Sequence, residues 1–427
     1  MASGQNNESK LSFGVEMEFY IFWARGAIGS APTPEGFESR PGGPLYIHSN
    51  SLTSRLRDLV KSLPAATVVP PSVVIAINDS RNADVIHLRH YREWYTENDL
   101  SLDIRPPELE AMRGPNSGWV GVEVVSPALW ANDEGFSQVR KVCEFIQNTF
   151  WTSTPPSAGL HIHVGNGKEY FPVQSLRQIA AFLYAADPIL AQSHPKHRHE
   201  NGFCPSLRLF SKLSLGIKKS GLSAPPEQLN KRTNSPSSRL RSFFQNIFRR
   251  SPPHSKPTRN TEERKKDRFP PRPKKGVYAP NSERDPEDQR TSVFEAVAAL
   301  MEETTREGVS ILMTTNSMTR LGYNFHDPTV ANKRTIEFRR PASSLDPAEV
   351  VAQARIAVAL CEFAANPDQE QFQKIILDCD TADEYPSWYD VYDLFIDLNL
   401  RPEARVIHAA LKGTLDDSVR AEYWKSR

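Results

Sequence analysis

The most constraining feature of the sequence is an apolar segment, residues 12–22 (SFGVEMEFYIF), that contains two glutamates two positions apart. Its aromatic and aliphatic content predicts a buried β-strand. Residues i and i+2 of a strand project to the same face, so Glu16 and Glu18 would point together from this strand. Paired carboxylates in apolar surroundings are costly unless a cation neutralises them. The alternative is a solvent-exposed face with ordinary surface glutamates, but Tyr20 and Phe22 continue that face and argue against full exposure.

Two further strand-like segments also carry polar side chains among apolar ones. Glu123 is the lone charged residue of residues 120–125 (VGVEVV). His161 and His163 would share one face of residues 160–164 (LHIHV). A histidine pair of this kind is a weak signal by itself, because strands often carry a histidine that is satisfied within the core.

A fourth segment, residues 334–339 (RTIEFR), offers Glu337 and Arg339 from one face. Taken alone, this pair is about equally consistent with an internal salt bridge and with catalysis.

Taken together, the four segments supply three kinds of polar group: carboxylates, imidazoles and a guanidinium. This set favours hard divalent ions such as Mg²⁺ or Mn²⁺ over a structural zinc site, which prefers thiolates. Several such ions on a sheet suit nucleotide phosphates and phosphoryl transfer. The sequence has neither a Walker loop nor a glycine-rich dinucleotide motif, so phosphates would be held through metals.

Residues 212–290 differ from the rest of the chain in composition. They are rich in Pro, Ser, Lys and Arg without sustained periodicity, which predicts a long disordered insertion. Between Lys212 and Lys275 there are 18 Lys or Arg and four acidic residues, a net charge of +14 in a chain whose formal net charge is +1. We expect an anionic or protein partner for this basic segment. Aromatic and basic residues alternate only in residues 238–251, so nucleic acid is not an expected partner.

Several classes of protein are excluded by the sequence. No apolar run approaches the roughly 18 residues needed to cross a bilayer. Residues 1–10 lack the apolar core of a secretory signal. The four cysteines form no C-x-x-C pair, which argues against a disulfide framework and a zinc ribbon. We expect a cytoplasmic protein without a membrane span; the basic insertion leaves the nucleus as an alternative.

The pattern of elements predicts an α+β fold. Helical periodicity marks residues 52–63, 139–150, 175–184 and 294–313, and residues 68–77 read as a strand. Asp346 followed by Pro347 predicts the start of another helix. The predicted organisation is one discontinuous catalytic domain, residues 11–211 and 291–427, with the insertion 212–290 and a flexible N-terminus, residues 1–10.

Five motifs, in this order along the chain, carry a family resemblance. They are FGVEMEF (13–19), WYTENDLSL (94–102), GVEVVSPAL (121–129), GLHIHVG (159–165) and the segment 335–364, which begins TIEFRRPASS. Together they resemble the amidoligase family, which comprises carboxylate–amine ligases of the glutamine synthetase and glutamate–cysteine ligase superfamily. GLHIHVG combined with TIEFR is fairly specific, whereas no single motif would be.

The resemblance implies a fold and a reaction. It implies a curved antiparallel sheet that lines the active site, with helices on its outer face, as in the catalytic fold of glutamine synthetase. It also implies a bound ATP and two or three Mg²⁺ or Mn²⁺ ions. The carboxylate of a small molecule or peptide would be activated as an acyl phosphate, and an amine would then attack it to form an amide or peptide bond.

The resemblance also assigns the ion ligands. By similarity to glutamine synthetase, Glu16, His161 and Glu337 would hold one ion. Glu18 and Glu123 would hold the ion on the substrate side.

The remaining site residues are assigned in the same way. His163 would face the nucleotide, Arg339 would bind the γ-phosphate and act in catalysis, and Arg320 would act near the substrate. Family members commonly follow TIEFR with Gln-His and a glycine-containing turn, whereas residues 340–342 here are Arg-Pro-Ala. This departure predicts altered specificity or reduced activity.

Two rival functions remain open: a catalytically inactive scaffold with this fold, and a metal-dependent hydrolase. Retention of all five expected ion ligands argues against the inactive scaffold. The hydrolase would turn over without nucleotide, which separates it from the ligase.

Overall fold

The structure is a computed structural model that describes residues 11–26, 29, 33–47, 94–97, 102, 106–199, 202–216, 291–315, 320–326, 334–386 and 388–411. Its strands are β1 (Ser12–Ala24), β2 (Leu45–Tyr46), β3 (Tyr95–Glu97), β4 (Ser117–Val125), β5 (Leu129–Trp130), β6 (Thr152–Ser153), β7 (Leu160–Gly165), β8 (Tyr323–Asn324) and β9 (Thr335–Phe338). Its helices are α1 (Pro107–Ala111), α2 (Asp133–Thr149), α3 (Val173–Leu190), α4 (Lys196–His199), α5 (Leu207–Phe210), α6 (Val293–Glu302), α7 (Arg306–Leu312), α8 (Pro347–Ala365), α9 (Gln369–Glu384), α10 (Val391–Asp397) and α11 (Arg401–Ala410). None of the described helices is both long enough and apolar enough to span a membrane.

The chain divides into two compact units. The first contains Met1–Glu169 and Glu337–Val358, and the second contains Tyr170–Ile336 and Ala359–Arg427. The expected single domain therefore contains two units, and the segment 337–358 returns the chain to the first of them.

The first unit is built on a sheet in which β1 is the central strand. The strand order is β3–β4–β1–β7–β9, and β1 is antiparallel to both β4 and β7. The short strands β5 and β6 also pair antiparallel with β1, whereas β2 pairs parallel with it. The predicted α+β class with an antiparallel sheet is confirmed, and the closer likeness to glutamine synthetase stays a prediction.

One face of the sheet packs against helix α2. Phe13 stacks on Phe136 of this helix with ring centroids 4.6 Å apart, and Met17 Sδ lies 3.6 Å from Cys143 Sγ. Asn132 caps the helix by accepting a hydrogen bond from the Gly135 N–H at 2.9 Å. A Cβ at Gly135 would stand 2.2 Å from the Trp130 carbonyl oxygen, so only glycine allows this close approach. The other face of β1, which carries Glu16 and Glu18, therefore points away from α2.

Aromatic side chains cover the second face towards the C-terminal end of β1. The buried cluster contains Tyr20, Phe22, Phe37, Leu102, Leu109, Trp119, Trp151 and Ala158. The Tyr20 hydroxyl donates to the Leu102 carbonyl oxygen at 3.0 Å. Gly121 pairs with Tyr20, and a Cβ there would lie 2.4 Å from the Leu102 Cβ. The carboxylate-bearing part of the strand thus ends against a tightly packed apolar cluster.

Helix α8 begins as the sequence predicts. The Asp346 carboxylate accepts hydrogen bonds from the N–H groups of Ala348 and Glu349, both at 2.9 Å. Pro347 is its first residue, where the missing N–H costs nothing.

Helix α3 forms the core of the second unit, and its residues are buried along most of its length. It packs against α6, α7 and α9. Phe182 contacts Phe363 and Phe372, with ring centroids 5.4 Å and 6.4 Å away. The prediction of one helix over residues 294–313 is wrong, because α6 ends at Glu302 and Thr305 caps a separate helix, α7, by accepting from the Gly308 N–H at 3.0 Å.

The described chain continues a few residues into the predicted insertion. Leu213 and Ser214 are buried, and Leu213 N–H donates to the Leu312 carbonyl oxygen at 2.9 Å. Thr291, the first described residue after the gap, bonds to the same two residues. Its N–H donates to Ser214 O at 3.2 Å and its hydroxyl donates to Leu213 O at 2.8 Å. We call this group, residues 213, 214 and 291, the neck.

Four predictions from the sequence concern residues that lie outside the described ones. They concern residues 1–10, the helix 52–63, the strand 68–77 and the remainder of the insertion, residues 217–290.

All four cysteines are buried and none is part of a disulfide: Cys143, Cys204, Cys361 and Cys379. Burial, assisted by the nearby charge of Asp346, raises the pKa of the Cys143 thiol to about 12. Burial also raises the pKa of the Cys361 thiol.

Candidate metal centre

Strand register brings the predicted ion ligands together on one face of the sheet. Glu16 on β1 pairs with His161 on β7, and Glu18 pairs with Glu123 on β4. His163, two residues after His161 on β7, pairs with Gly14 of β1. Side chains that lie directly opposite in an antiparallel pair are within about 5 Å at Cβ. Simple alternation, as predicted from the sequence, thus builds a polar patch in the first unit.

Glu16 lies between the two imidazoles. Its Oε2 is 3.2 Å from His161 Nδ1, and its Oε1 is 2.9 Å from His163 Nε2. Burial by itself would raise the pKa of the Glu16 carboxyl, but the charges of His163 and His161 and their hydrogen bonds hold it well below its usual value. Glu16 is therefore ionised in these surroundings.

Glu337 is completely buried beside the same imidazoles. Its Oε1 is 3.7 Å from His161 Nδ1 and accepts a hydrogen bond from Arg339 Nη1. Burial would raise the pKa of Glu337, yet His163, Arg339 and His161 lower it to about 2. Burial would lower the pKa of Arg339, but the charge of Glu337 raises it. Both groups are therefore charged at neutral pH.

The Glu18 carboxylate is also buried, and it bonds to the backbone. Its Oε2 accepts a hydrogen bond from the Gly159 N–H at 2.6 Å, while its Oε1 lies 3.6 Å from His161 Nε2. Its carbonyl oxygen accepts a hydrogen bond from the Ser343 hydroxyl.

The ligand atoms form two overlapping groups in which each atom lies within 4.8 Å of the others. One group is Glu16, Glu123 and His161, and the other is Glu16, His163 and Glu337. Glu16 belongs to both groups, which suits a carboxylate that bridges two ions. Buried carboxylates are the donors that Mg²⁺ and Mn²⁺ prefer, and imidazole is acceptable to Mn²⁺. The chemistry of the donors thus fits the expected ions.

The structure gathers most of the predicted site residues but not in the expected groups. Glu18 is absent from both ligand groups, and His163, expected to face the nucleotide, is in one of them. Arg320 is an exposed residue of the second unit, and its catalytic role stays a prediction.

One acidic position was not assigned from the sequence. Glu97 on β3 is the register partner of Glu123, which in turn pairs with Glu18. Three glutamates therefore occupy one row across three neighbouring strands. The signal was present in the motif WYTENDLSL, but β3 is too short for alternation to reveal which face a residue occupies.

A family model described as "Putative amidoligase enzyme" matches residues 9–237. The match contains Glu16, Glu18, Glu123 and the histidine pair, whereas Glu337 and Arg339 lie beyond it. Neither the curated proteins nor the solved structures gave a match. Because the family model covers more than half of the chain, the protein belongs to the amidoligase family.

Proposed function

We propose that this protein is an ATP- and Mg²⁺-dependent carboxylate–amine ligase that works through an acyl phosphate, on the catalytic fold of glutamine synthetase. Its family membership supports a ligase-type enzyme. The observation that carries the finer proposal is the pair of ligand groups that share Glu16, with a charged arginine at their edge.

The charge of the cluster supports the need for cations. Glu16, Glu18, Glu123 and Glu337 place four carboxyl groups on one patch, and Arg339 supplies one permanent positive charge. Such a set is costly to bury without further positive charge. Glu16, Glu123 and His161 would hold one ion, and Glu16, His163 and Glu337 a second. When bound, the ions would neutralise phosphate oxygens during transfer.

The chain's own residues would orient the substrates. Arg339 would bind the γ-phosphate, because its guanidinium presents several N–H donors in a plane that matches phosphate oxygens. Its contact with Glu337 fixes the direction from which it approaches. An oxygen of the substrate carboxylate would attack the γ-phosphorus and release ADP. The amine would then attack the acyl carbon and release inorganic phosphate.

Water must be kept from the acyl phosphate for amide formation to win over hydrolysis. The aromatic cluster that follows Tyr20 along β1 supports this requirement, since it closes one end of the polar patch with apolar side chains. An amine with an unprotonated nitrogen would be the preferred attacking group in such surroundings.

The test is a screen of carboxylates and amines, amino acids and short peptides included, with Mg²⁺-ATP and the purified protein. ADP and inorganic phosphate formed in step with an amide product are expected. If AMP forms in step with product instead, the intermediate is an acyl adenylate and not an acyl phosphate. Turnover without nucleotide would establish the metal-dependent hydrolase, and Mg²⁺-ATP binding without turnover of any pair would favour the inactive scaffold.

A further inference from the structure

We infer that Ser343 is a positioning residue of the metal centre: its hydroxyl fixes the backbone of Glu18, whose carboxylate, held by the Gly159 N–H, lies beside the ion ligand His161. The inference rests on the proposed ion-binding function of this patch. It concerns the segment after β9, residues 340–344, which we call the strap.

Both the backbone and the side chain of Glu18 form hydrogen bonds with other parts of the chain. Glu18 N–H donates to Gly159 O at 3.1 Å, and Gly159 N–H donates to Glu18 Oε2 at 2.6 Å. The Ser343 hydroxyl donates to the Glu18 carbonyl oxygen. Two residues, far apart in sequence, therefore restrain the backbone and the carboxylate of this one glutamate.

The strap is held beside Gly159 by a short run of strand pairing. Gly159 and Ala342 form an antiparallel bridge. On either side of it, Leu160 N–H donates to Pro341 O at 3.2 Å and Ser343 N–H donates to Ala158 O at 3.4 Å. The Ser343 hydroxyl is thus delivered to Glu18 by backbone geometry.

The C-terminal end of the strap is fixed to helix α8. The Ser344 hydroxyl donates to Glu349 Oε2 at 2.6 Å and accepts from the Asp346 N–H at 3.1 Å. Asp346 is the residue that caps this helix. At the other end of the strap, the Arg340 side chain is fully buried. A segment anchored at both ends can hold a side chain in one place.

Through these backbone bonds the strap pairs with the chain that leads into β7 and supports Glu18. One Glu18 oxygen bonds to a backbone N–H, and the other lies on the side of His161, a member of one ligand group. A carboxylate that is held beside a ligand histidine keeps the imidazole in one orientation, as outer partners of metal ligands do.

The experiment is a Mn²⁺ titration without nucleotide, followed by electron paramagnetic resonance of free Mn²⁺ and by calorimetry. The full chain is compared with Ser343→Ala, Ser343→Thr and the control Ser175→Ala. Ser175 is matched because its partly buried hydroxyl also donates to a backbone carbonyl, that of Ala365 at 3.2 Å, in the second unit.

We expect two Mn²⁺ ions to bind the wild-type protein. Ser343→Ala should weaken binding of the ion held with His161 by about tenfold, the lower end of the usual effect of losing an outer partner of a metal ligand, because Ser343 acts on His161 through Glu18. Ser343→Thr keeps the hydroxyl and should bind as the wild type does, and Ser175→Ala should leave both affinities unchanged.

Unchanged affinities in Ser343→Ala, or an equal loss in Ser343→Thr, would overturn the positioning role while leaving the metal centre in place. A wild-type protein that binds no Mn²⁺ would instead refute the proposed centre, and the positioning role with it. Circular dichroism melting checks that each variant is folded. Should Ser343→Ala not fold, Ser343→Cys, with its weak S–H donor, must show the same selective loss.

Discussion

Glu18 on β1 and Glu123 on β4 occupy directly paired positions of an antiparallel ladder. Like charges at such positions repel each other, and both side chains are buried, so little water screens them. Such a pair is stabilised by a cation or by a shared proton between the two groups. Removing one carboxylate of the Glu18–Glu123 pair therefore measures how much the pair destabilises the protein when no ion is bound.

Glu123→Gln should therefore have opposite effects with and without ions. Without divalent ions the free energy of unfolding should stay equal or rise by about 0.2–1 kcal/mol, because the like-charge pair is lost. With saturating Mg²⁺ the variant should be less stable than the wild type, since a ligand is missing. Denaturant unfolding in EDTA and in Mg²⁺ measures both values.

The matched control is Glu134→Gln, which removes one charge from the exposed first turn of α2. It should respond to Mg²⁺ as the wild type does. A Glu123→Gln protein that gains as much from Mg²⁺ as the wild type would show that Glu123 does not bind the ion.

Glu16→Ala and Glu337→Ala should each abolish stabilisation by Mg²⁺-ATP. A ligand present at a hundred times its dissociation constant adds about 2.7 kcal/mol to the stability of the folded state. For a chain of 427 residues that corresponds to a rise of about 3 °C in the melting temperature. Thermal melting with and without Mg²⁺-ATP is the measurement. Equal stabilisation of the wild type and of both variants would contradict the assignment.

Gly121→Ala should destabilise the protein by about 1–3 kcal/mol, the usual cost of overpacking. Its new methyl group would overlap the Leu102 Cβ and displace the residue to which Tyr20 donates its hydrogen bond. Denaturant unfolding measures the loss. In the control, Gly202→Ala, nothing lies within 4 Å of the added Cβ, so stability should be unchanged or slightly higher. Similar stabilities of the two variants would mean that the cluster can relax around position 121.

Removal of residues 217–290 behind a short Gly/Ser linker should leave a folded protein. The neck already holds Thr291 beside Leu213 and Ser214, so a short linker has little distance to cross. Closing a shorter loop also costs less entropy, by about 0.6 kcal/mol for each halving of its length. Melting temperature and Mg²⁺-ATP binding are expected to be retained. A collapse of the melting transition would mean that the excised residues stabilise the fold.

The long strands and their faces were predictable from the sequence because alternation is a local property. Two charged residues at positions i and i+2 of a strand must lie on the same face of the sheet. This reasoning placed Glu16 beside Glu18 and His161 beside His163 correctly. The cap at Asp346 was equally local, since the side chain and its N–H partners are neighbours in the chain.

What depends on distant contacts was not predictable in this way. The periodicity of residues 294–313 continues through the break between α6 and α7, which only the Thr305 cap reveals. The chain at Leu213 is ordered through bonds to Leu312 and Thr291, neither of which is near in sequence. The contact of Ser343 with Glu18 joins the two ends of the family motifs, and no local pattern encodes it.

The burial of the four cysteines makes the chain's own thiols a reporter of unfolding. The thiolate is the form that reacts with alkylating reagents and oxidants, and the raised pKa of Cys143 leaves almost none of it at neutral pH. Reaction must therefore wait for an opening that exposes the sulfur. Cys143 lies in the first unit, whereas Cys204, Cys361 and Cys379 lie in the second. The order in which these positions become alkylated would tell which unit opens first.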